Sequence, residues 1–215
     1  MAEITLILIP CSGDKRGGGI TEYKVSNCII NNLSLETGKR LMELRKEVGV
    51  AFQEEHGPDL GFEVTQTGIR YLEAYRRYSG NLYSKISEKS WNKLSRNSEL
   101  KMLIVSALYG LVNYNELIRL YDRTMKDHIH PGRLLKTWWS NKHLSAIVLE
   151  YILQNRTKVV HDFLSTDYSH ATWNFSSRLT EVGIQCVRHT YPGLGTGSDY
   201  HRGRDVNALI QSFQT

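Results

Sequence analysis

The chain has 215 residues, a length for one domain with a sizeable buried core, and I–V–L-type and other hydrophobic residues make up 40% against 23% charged, as in ordinary soluble globular proteins. Its formal net charge of +5 and pI near 9.0 lean towards polyanionic partners, although charge of this size is a weak signal alone. Three scattered cysteines, Cys11, Cys28 and Cys186, form no CxxC pair, so neither a zinc ribbon nor an iron–sulfur cluster is suggested; their low, odd number fits a reducing compartment, so a cytoplasmic protein is expected.

The first element is the apolar run Ile4–Ile9, stopped by Pro10. It is too short for a signal segment or a membrane span and reads as a central parallel strand covered on both faces. A Gly-rich polar loop follows. Ser34 then caps a long helical pattern over about 35–55, with Leu41, Leu44, Val48 and Phe52 on one face and Gly57-Pro58 beyond its end. Two short helices are expected over 69–77 and 83–96, separated by Tyr78-Ser79-Gly80-Asn81. Lys101–Ser106 is the second buried strand. Residues 111–132 read as loop with one helical turn near Glu116–Leu120, and 133–154 as helix broken near Ser140-Asn141. Thr157–Phe163 and Gly183–His189 are the third and fourth strands. Helices are expected over 170–182 and from Arg204 to Phe213.

Strands alternating with helices predict a single α/β domain over 1–215 with a mainly parallel sheet. Ligands of such sheets bind at the carboxyl ends of the strands, which directs attention to loops 10–19, 106–127, 164–170 and 190–203. In the first loop, Gly13 and the Gly17–Gly19 run allow backbone N–H groups to approach an anion, with Ser12 and Lys15 adding a hydroxyl and a charge; GxxxxGK[ST] is absent. In the second, Tyr109 and Tyr121 offer faces for stacking a base and Asp122 a carboxylate for acid–base work, or else the tyrosines seal a core built on Leu108, Leu111, Leu117 and Leu120. Asn81 can read a base edge through its amide, though a turn before a helix explains it equally simply. The third loop brings Asp167 and several polar neighbours suited to a sugar or phosphate, without the GxSxG elbow of a Ser–His–Asp hydrolase. The last loop adds glycines and arginines; Arg16, Arg202 and Arg204 are the candidate contacts to a nucleic-acid backbone. The pairs Lys39-Arg40, Arg45-Lys46 and Arg76-Arg77 read as solvated helix faces. His128 and His130 lack a ligand set, so neither a metal nor any other cofactor is expected, nor are a membrane or an obligate protein partner.

Four segments in order, Ile9–Lys15, Tyr78–Tyr83, Val105–Leu111 and Leu120–Met125, resemble the YaaA-like peroxide-stress proteins. The Ile9-Pro10-Cys11-Ser12 phrase also resembles a domain of archaeosine synthase. These families are related in fold to the uracil-DNA glycosylase superfamily. The resemblance covers about residues 4–127 and implies an α/β/α sandwich, DNA binding and a nucleobase pocket at the strand ends. The positions it marks are Ser12, Lys15, Tyr78, Asn81, Tyr83, Ser106, Tyr109, Tyr121 and Asp122. It further implies cleavage or exchange at an N-glycosidic bond; for a stand-alone glycosylase a bulky or hypermodified cytosine, as found in phage DNA, is a candidate substrate, although the sequence itself does not identify the base. A water-activating GQDPYH motif does not follow the first strand, so Asp14 and Asp122 stand as alternative catalytic carboxylates. A DNA-binding stress protein without catalysis, and a hydrolase of free nucleosides or nucleotides, are the competing expectations.

Overall fold

The computed structural model describes residues 3–63 and 68–214. Strand β1 (Ile4–Pro10) leads through a long loop to helix α1 (Leu35–Ala51), whose first turn is capped by Ser34 accepting from the Thr37 N–H at 3.2 Å. A short strand β2 (Tyr71–Glu73) runs into helices α2 (Ala74–Arg77), α3 (Asn81–Ser84) and α4 (Glu88–Arg96). Strand β3 (Leu100–Ser106) turns back into β4 (Gly110–Asn113), and β5 (Leu117–Arg119) pairs with β2. A small hairpin, β6 (His128–His130) and β7 (Arg133–Leu134), precedes α5 (Leu135–Asn141) and α6 (Leu144–Gln154). The chain closes with β8 (Thr157–Asp162), α7 (Thr166–Ala171), α8 (Phe175–Glu181), β9 (Gln185–Arg188) and α9 (Ser198–Ser212).

The fold is α/β with a mainly parallel central sheet. Its order is β4-β3-β1-β8-β9, with β3, β1, β8 and β9 parallel and β4 antiparallel at one edge. Leu6, Ile7, Leu8 and Ile9 are all wholly buried, so both faces of β1 are covered and hydrophobic alternation disappears from its sequence. One group of helices joins α3 and α4 to α9; another joins α5 to α7 and α6 to α8. The sharp β3–β4 turn needs Gly110, which has φ 71° and lies against the Trp139 ring: a Cβ there would stand 2.7 Å from the indole. The same indole donates to the Ala107 carbonyl at 2.8 Å.

Several expectations require correction. The helix expected over 69–77 is strand β2 followed by a single turn, and 83–96 divides into α3 and α4. Residues 111–132 hold three short strands and no helical turn at 116–120. The 170–182 helix is two helices, and α9 begins six residues before Arg204. Nor are all the basic pairs solvated. Arg45 is wholly buried, paired with Glu116 at 2.8 Å and donating to the Leu111 carbonyl at 2.7 Å. Arg77 is wholly buried too, its guanidinium donating to the carbonyls of Arg16, Gly18, Arg70 and Ile118.

Candidate functional site

Strand β1 lies between β3 and β8, and the chain leaves it towards β3 first and reaches β8 later. The crevice at its carboxyl end is therefore the point where the winding direction reverses, the usual ligand position in open α/β sheets. A half-open pocket of about 320 Å³ occupies that place, within the size range of small-molecule sites. Its first wall is Pro10–Asp14. Asn81 and Leu82 of α3 supply the second, Thr124–Lys126 the third, and Asp167, Tyr168 and Asp199 the remainder. Larger clefts exist, including one of about 490 Å³ rich in asparagine at the amino end of β3 and the carboxyl end of β4. The smaller pocket is the better candidate because distant segments bring ionisable groups together there.

The first loop is held from below. The Cys11 N–H donates to the Val105 carbonyl at 2.9 Å, and the Tyr83 hydroxyl donates to the Pro10 carbonyl at 2.9 Å. Ser12 Oγ accepts from the N–H groups of Asp14 and Gly80, both at 3.2 Å, which leaves its own proton free to be donated. The Ser79 N–H donates to the Asp14 carbonyl at 3.0 Å, and the Arg16 N–H to the Arg77 carbonyl at 2.8 Å. The loop is thus zipped along 77–80, which fixes Asp14 beside Asn81. A side chain at position 80 would collide with Ser12 Oγ at 2.2 Å, so the glycine permits this approach.

Behind the loop, three hydroxyls close on one another: Tyr78 to Tyr121 at 2.8 Å, Ser106 to Tyr121 at 2.9 Å and Tyr78 to Ser106 at 3.3 Å. Burial raises both phenols well above the ordinary tyrosine value, so they serve as neutral hydrogen-bonding groups. Lys15 extends over the Tyr121 ring, its Nζ 4.2 Å from the centroid and 3.2 Å from the Gly13 carbonyl. Burial lowers its pKa, opposed by Cys11, Asp122, Asp14 and Asp127. In the pocket itself, Cys11 Sγ meets the Tyr168 hydroxyl at 3.0 Å, while Asp167 is held by Lys136 at 2.5 Å and by Lys126 at 3.8 Å.

The predicted residues therefore separate into groups. Ser12, Gly13, Asp14, Asn81 and Asp167 line the pocket together. Lys15, Tyr78, Tyr83, Ser106 and Tyr121 form its support. Asp122 is exposed and outside the lining, although close enough to Lys15 to oppose the lowering of its pKa. Two assignments are corrected. Tyr109 offers no stacking face: it is wholly buried, its hydroxyl donating to Asp59 at 2.6 Å and accepting from the Arg119 N–H at 3.0 Å. Arg202 is 4% exposed, paired with Asp199 and placed over the Tyr191 ring, so it presents no free cation to a phosphate; Arg16 and Arg204 are exposed. The Gly17–Gly19 run is tied to the body of the protein at two points. Arg77 gathers the Gly18 carbonyl from beneath, and a Cβ at Gly19 would lie 2.2 Å from the Tyr71 carbonyl. Cys11, Lys126, Tyr168 and Asp199 also line the pocket; they lie in the candidate strand-end loops, but sequence reasoning did not single them out as site residues. For Tyr168 and Asp199 the available signal was their place just after β8 and at the start of the last helix.

No helix among the described residues is long and apolar enough to cross a membrane. A family model described as "Peroxide stress protein YaaA" matches residues 23–212. A UPF0246 protein of Francisella tularensis subsp. mediasiatica is 30% identical over 140 residues, covering 63% of this chain and 55% of that protein. Another, from Francisella philomiragia subsp. philomiragia, is 28% identical over 140 residues with the same coverage. The chain thus spans about half the length of these curated relatives.

Proposed function

This chain belongs to the peroxide stress protein YaaA family, and from that premise we propose that it is a DNA glycosylase acting on a modified base. The observation that carries the proposal is the convergence of Asp14, Asn81, Asp167 and Asp199 on one pocket at the winding reversal of the sheet. Kinship in fold with the uracil-DNA glycosylase superfamily is part of the same proposal. The exposed Arg16 and Arg204, with the net charge of +5, supply attraction for phosphates.

In this reading the target base leaves the stack and enters the pocket. The Asn81 amide reads its edge with a donor and an acceptor, and Ser12 contributes its free O–H. The C1′–N bond breaks with its electron pair passing to the base nitrogen, leaving positive charge across C1′ and O4′. The Asp14 carboxylate stabilises that charge. A water oxygen then bonds to C1′, its proton passes to Asp14 or solvent, and the departing base is protonated. Losing one such electrostatic contribution costs about 10²–10³-fold in turnover. A hypermodified cytosine of phage DNA suits a pocket of about 320 Å³, which exceeds the needs of a bare pyrimidine.

The test is incubation with phage DNAs carrying different base modifications, read as abasic sites by alkaline strand cleavage. Cleavage of one class that collapses in Asp14→Asn supports the proposal; intact DNA with every modification defeats it. A second reading, which draws on the family's link to peroxide stress, is a DNA-binding stress protein without catalysis. Under that reading, DNA binding and cellular protection persist in both Asp14→Ala and Asp122→Ala.

A further inference from the structure

Three amines stand around the pocket, and they differ in what holds them. Lys136 and Lys126 are both directed at the Asp167 carboxylate, Lys136 at 2.5 Å. Lys15 has no carboxylate within ion-pair distance among the described residues. Its Nζ makes one hydrogen bond, to the carbonyl of the pocket residue Gly13, and otherwise rests on the face of Tyr121. Asp14, the preceding residue in the chain, lines the pocket. A half-buried amine with no carboxylate within ion-pair distance, on the loop that lines a proposed sugar site and next to Asp14, has the environment of an amine nucleophile.

We propose that Lys15 is the nucleophile of a second activity, an abasic-site lyase that cuts the DNA strand through an imine with C1′. The inference rests on the reading of this pocket as a DNA site. The Lys15 Nζ lone pair attacks the aldehyde carbon of the ring-opened abasic deoxyribose, and the resulting carbinolamine loses water to give a protonated imine. The Asp14 carboxylate removes a proton from C2′. The C–H pair forms the C2′=C3′ double bond, the C3′–O bond breaks, and its electrons leave with the phosphate, which becomes the 5′-phosphate of the downstream strand. Water then hydrolyses the imine, restoring the amine and releasing an unsaturated aldehyde on the upstream fragment. The balance needs no oxidant, reductant or cofactor. Burial, by lowering the Lys15 pKa, increases the fraction of neutral amine available for the first step.

The probe is a synthetic duplex with a single abasic site, incubated with the full chain and sodium cyanoborohydride, which reduces an imine to a stable amine. The expected result is a denaturation-resistant protein–DNA adduct. Mass mapping of the digested wild-type adduct should place the modification on Lys15, a readout that requires no variant. Lys15→Arg should reduce the adduct at least tenfold while still binding the duplex and melting as the wild type does; Lys46→Ala, on α1, should form it normally. No wild-type adduct, an adduct mapped to Lys126 or Lys136, or undiminished trapping in Lys15→Arg would overturn the proposal. The abasic duplex contains no base to excise, so the two activities fail separately. Trapping without excision of any modified base removes the glycosylase and leaves the lyase; excision without trapping does the reverse.

Discussion

Gly203→Ala tests whether the pocket depends on the close crossing of α9 over α3. Gly203 is buried within α9, and a Cβ there would lie 2.2 Å from the Leu82 carbonyl oxygen and 2.9 Å from the Leu82 carbonyl carbon. Ordinary carbon–oxygen contacts lie at about 3.3–3.6 Å, so the helices must separate by roughly 1 Å. The obstruction is backbone and cannot swing aside. Over-packing costs about 1–3 kcal/mol, and the better helix propensity of alanine returns about 1 kcal/mol. The net loss is therefore at most about 2 kcal/mol, a fall in Tm of up to about 8 °C for a chain of this size. Function should suffer more than stability. Asp199 lies one turn before Gly203 and Asn81 directly precedes Leu82, so the separation moves opposing pocket walls apart. A misplacement of about 1 Å costs on the order of 10²-fold in rate. The assay is abasic-site formation beside a urea melt, with Gly197→Ala as control because a Cβ there meets nothing within 4 Å. Full activity and unchanged stability in Gly203→Ala would refute this packing argument.

Other predictions concern charge. Arg119→Met leaves Asp59 wholly buried without the guanidinium that holds it at 2.6 and 2.9 Å, and should lower the stability by about 3–5 kcal/mol; a shift of the urea midpoint worth less than about 1 kcal/mol contradicts it. His161 and His189 touch at 3.1 Å, and burial lowers both pKa values. The unfolded chain therefore binds more protons than the folded one between the lowered values and the ordinary value of about 6.5, so stability must fall as pH drops through that window. His161→Gln should flatten this dependence in melts across pH, and an identical slope in the variant would count against it. Arg16→Ala and Arg204→Ala should each reduce the dependence of log affinity on log salt by about one; an unchanged slope removes them from the DNA surface.

How much of this was legible in the sequence varies with the range of the interaction. β1 was readable because a six-residue run before a proline, apolar but for Thr5, leaves few alternatives to a strand covered on both faces. The break between α5 and α6 was also readable, and it falls at His143, which has φ 61°. By contrast β2 and β5 are three residues each and are strands only because they pair with one another, 71 with 119. No local pattern carries that information. Burial of arginine was hidden for the same reason. Arg45 needs Glu116, and Arg77 needs four carbonyls that folding gathers from residues 16 to 118. At the site, the strand-end rule located the loops, while the resemblance grouped the tyrosines. Neither could show that Tyr109 turns towards Asp59, or that Asp199 joins the pocket from a helix whose start was placed too late.

The central claim is that the strand-end pocket removes a base from DNA with the help of Asp14. Its most direct measurement is mass spectrometry of the small molecules released when the protein is incubated with phage DNA of known modification. The account predicts one free modified base, released in equal number to the abasic sites formed and lowered about 10²–10³-fold in Asp14→Asn. Tight DNA binding with no base released from any modified DNA, or release that is undiminished in Asp14→Asn, would contradict it.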